Sequence, residues 1–123
     1  MTKMLKQMTM GLVMVAVLGL VGESQSAFAQ MAPQVSRVNA FDTDVWRVWV
    51  PAGGRVTVRV VGDHATDLDL FVLDGYGYEL GRYDDSTDHC IVRLFSGDGG
   101  YIRIFIRNLG SVYNRYRIQV DVR

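Results

Sequence analysis

The sequence holds one cysteine, Cys90, two prolines and two histidines in 123 residues. A single thiol cannot close an internal disulfide, so the disulfide-stapled class of small exported domains is excluded. Cys90 reads instead as a small buried hydrophobe. Two histidines and one cysteine, dispersed along the chain, fall short of the ligand set of a structural zinc site. Lysine is confined to Lys3 and Lys6, and from residue 30 onward eleven arginines stand against twelve carboxylates, a net charge of −1. That balance supplies no basic stripe for nucleic acid. No apolar run reaches the roughly 20 residues needed to cross a membrane as a helix.

The longest apolar run, Gly11 to Val21 (GLVMVAVLGLV), follows Lys3 and Lys6. Polar residues Glu23 to Ser26 come next, then Ala27-Phe28-Ala29. A basic start, a short apolar stretch and a small-x-small site are the parts of a secretory signal peptide. Residues 1–29 are therefore expected to be removed, leaving Gln30 first. A periplasmic or secreted address follows, with no membrane span in the mature chain. No cysteine lies near the cut, which excludes a lipoprotein anchor. Residues 30–41 contain Pro33 and no clear period; they read as a flexible lead-in with a short edge strand around Val35 to Val38.

From residue 42 to 123 turn signals recur about every eight to twelve residues, and no helical stripe of useful length appears. The runs between them alternate. Val45–Val50 sets Trp46, Val48 and Val50 against Arg47 and Trp49. Arg55–Val61 sets Val56, Val58 and Val60 against Arg55, Thr57 and Arg59. Asp67–Leu73 places Leu68, Leu70 and Val72 inside, with Asp67, Asp69 and Phe71 outside. Asp74-Gly75 turns the chain into a strand at Tyr78–Tyr83. His89–Phe95, Tyr101–Asn108 and Arg115–Val122 complete the set, with cores of Cys90/Val92/Leu94, Ile102/Ile104/Ile106 and Tyr116/Ile118/Val120/Val122. Period-2 alternation of this kind predicts an all-β antiparallel sandwich of seven to eight strands.

Several runs, in order, resemble one family. They are Asp42-Thr43-Asp44-Val45-Trp46-Arg47-Val48, then Val50-Pro51-Ala52-Gly53-Gly54, then Thr66-Asp67-Leu68-Asp69-Leu70-Phe71-Val72. Gly100-Tyr101-Ile102-Arg103-Ile104 and Asn114-Arg115-Tyr116-Arg117-Ile118-Gln119-Val120 follow. Together they resemble the bacterial pre-peptidase C-terminal domain. The resemblance implies a jelly-roll-like β-sandwich that is not the catalytic part of the exported hydrolases carrying it. It also implies binding to extracellular matrix or polymeric substrates in some members. No peptidase precedes the domain in this sequence, so a secreted peptidase would have to be a partner in trans.

Catalytic residues are not expected. His89 and Cys90 are neighbours on a strand and point to opposite faces, so they cannot pair. Asp67 and Asp69 share a face at a spacing suited to glycoside hydrolysis, but read as solvated aspartates. Calcium is the cofactor the acidic residues could serve, since it takes carboxylate and carbonyl oxygens. Calcium-binding members of the resembled family use acids just before the first strand, which here are Asp42 and Asp44. The family's acidic N-terminal segment has no counterpart, because Gln30 to Ala40 contains no Asp or Glu. Asp84, Asp85 and Asp88 form a second acidic group. Tyr76, Tyr78, Tyr83 and Trp49, with Phe71, are the candidate ligand-binding rings, because exposed aromatics with polar tips favour binding surfaces. The function expected is an exported, non-catalytic binding module for a protein or an extracellular polymer. A structural envelope protein and a small hydrolase are the alternatives.

Overall fold

The structure is a computed structural model, and it describes residues 5–8, 29–30 and 32–123. The apolar run Gly11–Val21 and the polar stretch Glu23–Ser26 lie outside the described residues; the expected cut, between Ala29 and Gln30, falls at a described pair. No described helix is long and apolar enough to cross a membrane.

The expected strands form nearly where the alternation placed them, and together with two short unexpected ones, at Lys6–Met8 and Ala29–Gln30, they build two sheets. One sheet runs β1 (Lys6–Met8), β4 (Thr43–Val50), β9 (Gly100–Asn108), β6 (Leu68–Leu73) and β7 (Glu79–Tyr83). The other runs β2 (Ala29–Gln30), β10 (Asn114–Val122), β5 (Arg55–Val61) and β8 (His89–Phe95), with β3 (Gln34–Val38) also paired to β10. Pairing is antiparallel except where β1 lies parallel to β4. The chain is an all-β sandwich. We call the first sheet A and the second sheet B.

The fold follows from one physical demand. Each strand carries an apolar side that must leave water, and each sheet has one such side, so the two faces close on each other. Val48, Val50, Leu68, Leu70, Val72, Ile104 and Ile106 from sheet A meet Val56, Val58, Val60, Val92, Ile118 and Val120 from sheet B. Cys90 is 2% exposed inside this core, and burial pushes its thiol up to about 12, so it is unreactive packing.

Polar residues that the alternation could not assign hold the ends of the sandwich. Asn108 is 1% exposed. Its Nδ2 donates to the carbonyls of Val38, Asn39 and Val112, and its Oδ1 accepts from the Gly110 amide. One side chain therefore ties β3, β9 and the loop before β10. We expect Asn108→Ala to cost about 2–3 kcal/mol, because buried carbonyls lose their donor. Urea denaturation measures this; a loss under about 0.5 kcal/mol would mean that water replaces the amide without penalty.

Candidate functional site

The outward face of sheet A is where the alternation leaves rings and guanidinium groups together. Trp49 of β4 stands opposite Tyr101 of β9, and Arg47 opposite Arg103. The Arg47 guanidinium lies 3.5 Å from the Tyr101 ring centroid, a close cation–π contact. Further along, Phe71 pairs with Phe105, and Arg82 lies 5.2 Å from the Phe71 ring. Trp49 and Tyr101 remain 45% and 49% exposed.

The hairpin between β6 and β7 extends this face. The Asp74 Oδ1 accepts from the amides of Tyr76 and Tyr78, which fixes the tip. Both rings project into solvent, at 90% and 72% exposure. A Cβ on Gly75 would lie 3.6 Å from the Tyr101 carbonyl, so the tip adjoins the Trp49–Tyr101 pair. Of the four candidate rings, Tyr76, Tyr78 and Trp49 thus gather at one end of sheet A. Tyr83 does not. It sits on the inward side of β7, half-buried against the core, so the expectation that its ring is exposed is corrected. The bulge at Val72/Leu73, where Leu80 is the extra residue between Glu79 and Gly81, switches the facing of β7, which simple counting missed.

Sheet B offers a different surface. A groove of about 800 Å³ on its outer face is lined by Arg55, Arg59, Arg93 and Arg123, with Phe95 and Asp121.

The acidic candidates separate. Asp42 lies in the turn before β4, where its Oδ1 accepts from the Thr43 amide. Asp44 is inside β4, turned inward and 2% exposed. Its Oδ2 takes the Lys6 ammonium at 2.6 Å and the Tyr116 hydroxyl, and that hydroxyl in turn accepts from Trp46 Nε1 at 2.8 Å. Asp67 and Asp69, expected to be solvated, are partly enclosed: Asp69 is buried, Asp67 half-buried, and one oxygen of each is buried without a hydrogen-bond partner. β6 is flanked by β9 and β7, which bring Arg107 and Arg82 near Asp69. Burial, then Asp67 and Asp84, hold the Asp69 carboxyl above the usual range, against the pull of Arg107 and Arg82. A raised pKa means that the folded state favours the protonated acid. The penalty is present above that pKa and vanishes as pH falls through it. Asp69→Asn should therefore raise the melting temperature at pH 7, with the gain closing as pH approaches about 4. An equal gain at both pH values would place its cause elsewhere.

At the opposite end of sheet B the structure unites residues that sequence spacing kept apart. His64 Nδ1 and His89 Nε2 each lie 3.7 Å from Asp88 Oδ1. The two rings are 4.8 Å apart, centre to centre. The signal that would have found them is strand pairing: Val61 lies opposite His89, so the loop after Val61 must pass beside it.

The candidate nucleophiles of the sequence do not join these groups. Cys90 faces the core, and Ser96 Oγ is spent on the Pro51 carbonyl and the Gly54 amide.

A family model for the bacterial pre-peptidase C-terminal domain matches residues 42–120. The chain belongs to that family. A domain of this family from a Bacillus anthracis collagenase superimposes with a TM-score of 0.62 at 12% identity, covering 72% of this chain and 87% of that one. The periplasmic inhibitor of g-type lysozyme, PliG, from Aeromonas hydrophila follows at 0.57 and 15%, covering 75% and 85%. The Salmonella Typhimurium PliG gives 0.53 and 11%, covering 99% and 100%. At these identities the likeness is one of fold. No curated protein matched at the sequence level. As a pre-peptidase C-terminal domain, the chain has the jelly-roll-like sandwich that the ordered sequence runs implied.

Proposed function

We propose that the chain is an exported, non-catalytic binding module that engages a protein through the outer face of sheet A. The observation carrying this reading is the Trp49–Tyr101 pair with Arg47 stacked on it, next to the exposed Tyr76 and Tyr78. Trp, Tyr and Arg are the residues in which binding energy concentrates at protein interfaces. Proteins of the same fold described as lysozyme inhibitors bind a protein target, which supports a protein partner here. The partner need not be a lysozyme; a secreted peptidase acting in trans suits the family equally. The test is capture by the mature chain from its own envelope or culture fluid, with wild type and a Trp49→Ala/Tyr101→Ala double variant in parallel. A protein retained by the first and not by the second supports the reading. Equal retention overturns it.

A second reading has its own observation. The arginine-lined groove of sheet B suits an acidic extracellular polymer. Retention on an acidic polysaccharide that is lost in Arg93→Ala would favour it; retention unaffected by that change would remove it.

Export is part of the proposal. The exported protein should begin at Gln30, as read by mass spectrometry; a mature form that retains Met1 would contradict it. Removal of residues 1–29 also takes Lys6 from Asp44. A cation already sits beside that carboxylate, and calcium at Asp42 and Asp44 is our proposal for its replacement. Calcium should then raise the melting temperature of the mature protein relative to chelator, and an unchanged temperature would dismiss the ion.

A further inference from the structure

We propose that His64, Asp88 and His89 form a binding site for a divalent transition-metal ion of the zinc class, with at least one coordination position left open. Two imidazoles and one carboxylate present one ligand atom each, and all three atoms lie within 4.8 Å of one another. Ligands about 2.0–2.1 Å from a tetrahedral ion stand roughly 3.4 Å apart. The two nitrogen–oxygen separations of 3.7 Å are close to that spacing. The remaining adjustment falls to two exposed rings, which can turn without disturbing the core.

The carboxylate is built in advance. Asp88 is 3% exposed, at the end of the β5–β8 ladder. Its Oδ2 accepts from the His64 amide at 2.6 Å and from Asn114 Nδ2 at 3.1 Å. That fixes the group and leaves Oδ1 turned toward both imidazoles, the arrangement by which supporting hydrogen bonds orient a metal ligand. His64 adopts a φ of 68°, a left-handed conformation uncommon outside glycine. The same Asp88 oxygen holds its amide there, and the ring is delivered over the carboxylate. Gly62 lets the loop pass, since a Cβ there would lie 2.2 Å from Asp88 Oδ2.

The donor set chooses the ion. Imidazole nitrogen favours zinc, nickel, copper and cobalt, whereas calcium and magnesium demand oxygen alone. These are the only two histidines in the chain, so imidazole-dependent binding has no other address. The site is separate from the sheet A face and does not depend on which partner that face takes.

The experiment uses the exported protein purified without a histidine tag and titrated with Co²⁺, followed by visible absorption, with Zn²⁺ competition. Wild type should bind one equivalent, with a dissociation constant below about 100 μM, and zinc should displace the cobalt. His64→Gln and His89→Gln should each weaken binding at least ten-fold. Both rings are exposed, so circular dichroism of the two variants should match the wild type. Millimolar calcium should not compete. If wild type shows no saturable binding below about 1 mM, or if either variant binds as tightly as wild type, the site is overturned.

Discussion

Val58→Asp is expected to abolish the folded state at 25 °C. Val58 is fully buried at the centre of sheet B, opposite Val92 of β8 and Val120 of β10. A carboxylate there has no partner and no route to water, and burying such a charge costs more than about 4 kcal/mol. A domain of this size has a total stability of about 5–10 kcal/mol, so little or nothing is left. The next residue, Thr57, points the other way into the arginine-lined groove, and Thr57→Asp should change stability by less than about 1 kcal/mol. Thermal melting by circular dichroism separates the two. A Val58→Asp variant that melts like the wild type would invert the assignment of the two faces of β5.

The largest effect on binding is expected from Trp49→Ala. The ring is half exposed in the free protein and is not part of the core cluster, and its cross-strand neighbour Tyr101 carries the Arg47 guanidinium. Truncating a central aromatic typically costs about 2 kcal/mol of binding, close to a 30-fold loss of affinity. Phe95→Ala supplies the control. Phe95 is also exposed and also has an arginine over its ring, but it belongs to the other sheet. Affinity should fall in the first variant and hold in the second, with both melting temperatures within a few degrees of the parent. The reverse pattern would move the site to the groove of sheet B.

The strands were legible because a period of two records which side of each chain is buried, and that record is local. Val56, Val58 and Val60 face inward as their spacing requires. What is not local was not legible. Asp44 looked like a turn acid, yet the strand starts at Thr43, and that start turns its carboxylate inward onto Tyr116, seventy-two residues away in sequence. Asp69 occupies an outward position and is still buried, because alternation fixes direction and not what the neighbouring strands lay over it. Asn108 and Asn114 read as ordinary loop boundaries and act as buried ties between distant segments. His64 and His89 seemed too dispersed for a metal; an antiparallel register closes that gap at once. The aromatic candidates were found by type, and sorting them needed the pairing, which kept Trp49 near Tyr76 and Tyr78 and turned Tyr83 inward.

The central claim is that this domain works by holding a protein against the outer face of sheet A. Site-specific photo-crosslinking in the producing cells tests it most directly, with a photoreactive residue placed once at Trp49 and once at Phe95. The account predicts a discrete protein adduct from position 49 and none from position 95. An adduct from position 95 alone, or none from either in cells where the domain is exported and folded, would contradict it.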